Sequence, residues 1–155
     1  MAETEVRPMQ AADLSAVLAM IRSLAAHHGD RAEATEGMLI RDSLGDSPWC
    51  RILVAGAPGG PVGYAAFLPL HLLQYARRGL DMHHLYVEPA WRGQGVGARL
   101  IDAGVGLARS LGCSYLSVGT APGNDAAAAF YLKRGFEARP VAGGRFGLSL
   151  DAPDG

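Results

Sequence analysis

Leu85-Tyr86-Val87-Glu88-Pro89-Ala90-Trp91-Arg92-Gly93-Gln94-Gly95-Val96-Gly97-Ala98-Arg99-Leu100 is the stretch that decides how this chain folds. Leu85-Tyr86-Val87 reads as the end of a strand, and Pro89 with Gly93, Gly95 and Gly97 reads as a turn. From Gly95 the period changes. Leu100, Ile101, Gly104, Leu107, Ala108 and Leu111 fall on one helical face, which predicts a helix over 95–111. A strand that runs through glycines into a helix builds an anion site. The first N–H groups of a helix have no partner within it, and the aligned peptide dipoles place about half a positive charge at that end. Glycine removes the Cβ that would keep a diphosphate from the backbone. The spacing Gly93-x-Gly95-x-Gly97 is not the G-x-G-x-x-G of a dinucleotide fold, nor a P-loop, which needs Gly-Lys-Ser/Thr. A turn with no ligand can carry the same three glycines, so the flanking residues have to choose.

Working outward, Thr4 to Met9 reads as a first strand. Asp13 is a candidate N-cap, and Leu14, Val17, Leu18, Ile21, Leu24 and Ala25 predict an amphipathic helix ending near His27-His28-Gly29. Met38, Leu39 and Leu44 predict a shorter helix, and Ser47-Pro48 a turn. Arg51–Ala55 and Val62–Leu70 read as a hairpin around Ala57-Pro58-Gly59-Gly60-Pro61. His71 to Leu80 reads as a connector, and Asp81–Val87 as a further strand. Downstream, Tyr115–Gly119 is a strand and Asn124–Arg134 a helix stopped by Gly135. Phe136–Arg139 and Arg145–Leu150 are two last strands around Gly143-Gly144. Interleaved strands and helices with hairpins at both ends predict an α/β (α+β) chain, a mixed sheet flanked by helices. Residues 1–155 read as a single domain, long enough to bury its own core.

Composition narrows the function. With 49% hydrophobic and 19% charged residues the chain is compact, and its net charge of −1 supplies no basic field, so nucleic acid is not an expected partner. The apolar runs are broken well before the ~20 residues of a membrane span. Met1-Ala2-Glu3-Thr4-Glu5 is acidic where a secretion signal is basic, so a cytoplasmic protein is expected. Cys50 and Cys113 lie in no CxxC cluster and read as structural thiols rather than a disulfide. His27, His28, His71, His83 and His84 have no metal-ligand spacing, and no metal is expected.

The flanking residues of the glycine turn carry a family resemblance. Arg92-x-x-Gly95-x-Gly97 is similar to the Arg/Gln-x-x-Gly-x-Gly/Ala signature of the GCN5-related N-acetyltransferases, the GNAT superfamily. Asn124-x-x-Ala127-x-x-Phe130-Tyr131, followed by Gly135-Phe136, resembles the second cofactor motif of that family. The resemblance runs from the first strand to about Leu150. It implies a GNAT fold: a mostly antiparallel mixed sheet of 6–7 strands, about four helices, and a splayed pair of parallel strands at the cofactor cleft. It implies acetyl-CoA as co-substrate, with its pyrophosphate held by Arg92, Gly93, Gln94, Gly95, Val96, Gly97 and Ala98. It implies that the pantetheine arm pairs with Leu85, Tyr86 and Val87 and is hydrogen-bonded by Asn124, while Tyr131 protonates the departing thiolate.

The chemistry then fits an N-acyltransferase acting on a primary amine of a small molecule or peptide. Such an amine is protonated at neutral pH and must lose a proton before it attacks, whereas a thioester is already activated. The protein has to align the two and move protons, and backbone N–H groups near the carbonyl can stabilise the oxyanion. The diamine and thialysine acetyltransferases look nearest, through Ser47-Pro48-Trp49 and Gly112-Cys113. That branch has two acids on the strand before Leu85, where this chain has His83-His84. In a regular strand these two point to opposite faces, and a neutral imidazole can act as a base near pH 7. His27 to Glu36 and His71 to Gly79 are the segments expected to choose the acceptor. Asp30, Glu33 and Glu36 either attract a cationic amine or form a solvated face, and Arg77-Arg78 favour an anion or nothing. The alternative function is a non-catalytic acyl-CoA-binding sensor or scaffold. Members of the family often dimerise through C-terminal strands, so a homodimer is expected, with Phe146-x-Leu148-x-Leu150 as an apolar stripe.

Overall fold

The computed structural model describes residues 3–140 and 143–151. They fall into two compact units, one up to Gly119 and one from Thr120. The first holds a five-stranded sheet, in the order β1 (Glu5–Pro8), β2 (Arg51–Ala57), β3 (Gly60–Leu72), β4 (Arg77–Val87) and β5 (Tyr115–Val118). Neighbours are antiparallel except β4 and β5, which run parallel. Three helices belong to this unit: α1 (Leu14–His27), α2 (Glu36–Ser43) and α3 (Val96–Ser110). The second unit carries α4 (Asp125–Lys133).

Both faces of the sheet are covered. Val17, Leu18 and Met20 of α1 and Leu39 of α2 pack on Ile52, Val54, Tyr64 and Ala66. Phe67, one residue on and therefore on the other face, lies against α3 at Gly104. A Cβ at Gly104 would stand 2.7 Å from Phe67 Cζ, so the fully buried ring needs a glycine there.

Helices α1, α2 and α3 and the β2–β3 hairpin form as their patterns predict. α1 stops in a Schellman motif: Gly29 is left-handed (φ 75°), and Asp30 N–H reaches Ala25 C=O at 2.8 Å. Asp13 does occupy the N-cap position of α1, but its carboxylate is committed elsewhere. It takes a bidentate bond from Arg7 (Nη1 to Oδ2 2.6 Å, Nη2 to Oδ1 3.0 Å) and a third from Gln10 N–H (2.8 Å). The Arg7 hydrogen bonds hold the Asp13 carboxyl below the usual carboxylate range. Because the folded value is depressed, the stabilisation is present above pH ~4 and is lost as pH falls through the folded value. Asp13→Ala is expected to cost about 2 kcal/mol at pH 7 in urea unfolding, less than a fully buried pair because Arg7 keeps one face in water. The gap between variant and parent should close in acid.

Two sequence expectations change. The connector His71 to Leu80 is the outer arm of a second hairpin, formed by β3 and β4. Leu70, His71 and Leu72 pair with Gly79, Arg78 and Arg77, and the reversal is a 3₁₀ turn at Leu73–Tyr75 closed by left-handed Ala76. Leu70 and Leu72 remain exposed there, so ladder bonds hold the arm and hydrophobic burial leaves no pattern to read. The count of 6–7 strands is also revised: among the described residues, neither Phe136–Arg139 nor Arg145–Leu150 is paired in a sheet. Phe146, Leu148 and Leu150 alternate as a strand would, yet all three stand exposed. Alternation stabilises a strand only where an edge and an apolar surface receive it, and an isolated hairpin is marginal.

Candidate functional site

The glycine turn starts at the end of β4. Glu88 N–H bonds to Val62 C=O at 2.8 Å, and Pro89–Trp91 make one 3₁₀ turn. Gly93 and Gly95 are both left-handed (φ 76° and 83°), a conformation that a side chain would strain, and a Cβ on either would meet open space. The side chains of the turn fold back from it. Arg92 Nε donates to Val87 C=O at 2.8 Å with its guanidinium 5.5 Å from the Tyr86 ring centre, and Gln94 Nε2 donates to Ala90 C=O at 3.1 Å. Gly95 is the N-cap of α3 and brings no capping side chain. Arg99 N–H to Gly95 C=O (3.0 Å) opens the helical ladder, so the amides of Val96, Gly97 and Ala98 precede it. This arrangement fits a diphosphate: open space, uncapped amides and the positive end of a 15-residue helix.

On the other side of β4, the parallel pairing with β5 runs from Gly79↔Tyr115 to Met82↔Val118 and stops. Leu85, Tyr86 and Val87 lie beyond it, paired with β3. A β-bulge sits between. Ala66 is opposite His84 while Phe67 is opposite Met82, which leaves His83 as the extra residue. The bulge overturns the expectation that the two histidines face opposite ways. Met82 shares the face of Phe67, His84 shares the face of Ala66, and the His83 and His84 rings lie stacked, 4.5 Å apart and 14° from parallel. His83 is exposed and His84 half-buried.

His84 lies on the sheet face that α1 covers. Its Nδ1 lies 3.0 Å from the hydroxyl of Tyr64, a β3 residue with no exposed surface. Beyond the ring opens a cavity of about 200 Å³. Ile21, Leu24 and Ala25 of α1 give it an apolar wall, and His28 at the end of α1, with Asp30 and Glu33 beyond it, gives it a polar one. Burial, then the charges that His83 and His28 can carry, push the His84 pKa down to about 4. Burial likewise pushes the Tyr64 phenol well above its ordinary value. Part of His27 to Glu36, a segment expected to choose the acceptor, lines the cavity; nothing in the sequence marks Tyr64, because its pairing with His84 depends on a bulge.

Other candidates are accounted for differently. Arg77 Nε bonds to Ser114 Oγ (3.3 Å) and its guanidinium lies 5.1 Å from the Tyr115 ring centre, while Arg78 Nη1 donates to Leu111 C=O (2.7 Å). Both pin β4 to the segment between α3 and β5. In the second unit Asn124 is the N-cap of α4, its Oδ1 accepting Ala127 N–H at 3.1 Å, while its amide N–H₂ has no partner among the described residues. Tyr131 stands on α4 with the rings of Phe130 and Phe136 each 5.6 Å away, edge-on. Burial raises its phenol pKa, so it stays protonated across the neutral range. Cys50 and Cys113 are free thiols. Among the described residues no three His, Cys, Asp or Glu side chains gather as a metal site, and no helix is long and apolar enough to cross a membrane.

Residues 19–136 match the acetyltransferase (GNAT) family. The chain belongs to that family. It is an N-acetyltransferase with a GNAT-like α/β fold. The thialysine N-epsilon-acetyltransferase of Sus scrofa is 30% identical over 145 residues, covering 87% of this chain and 85% of the relative. The L-methionine sulfoximine/L-methionine sulfone acetyltransferase of Pseudomonas aeruginosa is 34% identical over 104 residues, covering 64% of this chain and 60% of the relative. An aminoglycoside acetyltransferase from an uncultured soil metagenomic sample superposes with a TM-score of 0.77 at 19% identity, covering 94% of this chain and 97% of that one, a likeness of fold. The GNAT signature Arg92-x-x-Gly95-x-Gly97 coincides with the uncapped turn described above.

Proposed function

We propose that this GNAT enzyme transfers acetyl from acetyl-CoA to the primary amine of a small molecule or peptide, by direct attack in a ternary complex. One observation carries the reading. A single strand, β4, links the two parts such a reaction needs: His84 at an acid-lined cavity, and, past Val87, the uncapped turn that opens α3. Acetyl-CoA supplies the acyl group as an activated thioester. The amides of Gly93 to Ala98 hold the diphosphate, and the free edge of Leu85 to Val87, beyond the β5 pairing, holds the pantetheine arm in a splayed cleft. Asn124 offers its amide N–H₂ to the same arm. Asp30 and Glu33 draw the cationic amine into the cavity, where its apolar wall excludes water. A proton leaving the amine passes to the exposed, stacked ring of His83 and on to solvent. Tyr131, kept protonated, is the acid for the departing thiolate. Relatives named for thialysine and L-methionine sulfoximine support a small-molecule acceptor.

The whole chain acts as one acetyltransferase domain, and we read it as a cytoplasmic homodimer. The free thiols suit a reducing compartment, and the exposed Phe146-x-Leu148-x-Leu150 stripe suits a second copy. A monomer mass by light scattering removes the dimer. The function is tested by coenzyme A release from acetyl-CoA over a panel of amines, amino acids and peptide N-termini. Turnover with one acceptor class is expected. Tight acetyl-CoA binding with no turnover across the panel would return the chain to a binding module.

A further inference from the structure

We propose that Tyr64 locks His84 in the tautomer that carries its proton on Nε2, so that His84 offers the acceptor cavity a hydrogen-bond donor and not a base. The argument begins with the Tyr64 hydroxyl. It is buried, and His84 Nδ1 is its one hydrogen-bond partner among the described residues. A phenol O–H is a donor, and a buried donor left without an acceptor costs about 1–3 kcal/mol. If His84 Nδ1 carried the proton, two donors would meet and the phenol hydrogen would be stranded. If the phenol donates to Nδ1, both groups are satisfied. A neutral imidazole has one N–H, which then sits on Nε2.

The surroundings keep the ring neutral. The titratable groups around it are His83 on the same strand, Tyr64 on β3, Tyr86 beside Tyr64, His28 at the end of α1, and Asp30 and Glu33 in the following loop. Burial of the ring is the first reason it resists a charge, and the two histidines add to it by opposing a second positive charge. The ring is therefore protonated singly at working pH, and Nε2 is its remaining polar atom.

A fixed N–H in the cavity selects what enters. It cannot be satisfied by an ammonium group, which has no lone pair, and it is satisfied by a carboxylate, carbonyl or hydroxyl oxygen. Asp30 and Glu33 satisfy the ammonium. The cavity thus suits an acceptor bearing both an amine and an oxygen, an amino acid or its derivative, over a bare polyamine. This part rests on the acetyltransferase reading above; the tautomer does not.

The tautomer is tested by ¹⁵N NMR of histidine-labelled protein, full chain, between pH 5.5 and 8. A single Nε2–H form of His84 with no titration in that window is expected, and Tyr64→Phe should release it into a tautomer mixture. An Nδ1–H form, or a titration with a midpoint near the ordinary 6.5, overturns the proposal. This spectrum decides the tautomer even if no acceptor turns over, which would count against the activity alone. Among acceptors that turn over, oxygen-bearing ones should lead. His84→Ala should raise their KM about tenfold, the scale of one hydrogen bond, with kcat within a few-fold. His84→Gln, which keeps a donor and cannot be a base, should restore KM. A loss of 10²-fold or more in kcat for His84→Gln, the scale of general base catalysis, or a bare polyamine as the best acceptor, overturns the assignment.

Discussion

Tyr131→Phe is expected to lower kcat by about 10²-fold or more, while the Kd for acetyl-CoA stays within a few-fold. The substitution removes one oxygen. The ring keeps its edge-on contacts with Phe130 and Phe136, so α4 and its Asn124 cap have no reason to shift. A lost fold and a lost acid are therefore separable by thermal melting. The raised phenol pKa fixes the sign of the pH dependence. An acid works only while protonated, and burial extends the protonated form of Tyr131 above the ordinary tyrosine value of about 10. The parent enzyme should show no loss from this group across the neutral range. Near-parental kcat in the phenylalanine variant would take the acid role from Tyr131 and leave protonation of the thiolate to water.

The fold was legible where burial imposes a period. α1 and α3 announce themselves because one face of each packs on the sheet, and the glycine turn because left-handed backbone at Gly93 and Gly95 needs those residues. The arm of the β3–β4 hairpin was not, since Leu70 and Leu72 pair without being buried. Arg145–Leu150 misled for the converse reason: its alternation is present, but no edge receives it among the described residues. In the candidate site, the glycine turn and its uncapped helix start could be read from sequence because they are backbone features and local. The histidine pair could not. One inserted residue in β4 turns His84 toward α1 and stacks His83 on it, and nothing in Met82-His83-His84 marks a bulge. Tyr64, 20 residues upstream, becomes a partner only through that register.

Gly97→Asp should separate two consequences of the same unpaired amides. Gly97 lies in the first turn of α3, whose N-cap offers no side chain. A carboxylate placed there meets the positive end of the helix and replaces a glycine inside it, so the melting temperature should hold or rise. The same carboxylate competes with the acetyl-CoA diphosphate for those N–H groups. It also stands within a few ångströms of two like charges, at roughly 1–4 kcal/mol each between the limits of water and a protein surface. Affinity for acetyl-CoA should fall by about 10²-fold or more by titration calorimetry, and the loss should shrink in high salt. Gly97→Ala gives the control: it fills the same Cβ position without charge, and any steric share of the loss appears in it alone. A fold that is stabilised while cofactor binding collapses is the signature of an anion site built from backbone. Unchanged affinity in Gly97→Asp would move the diphosphate off the α3 N-terminus, and with it the role given to Gly93 through Ala98.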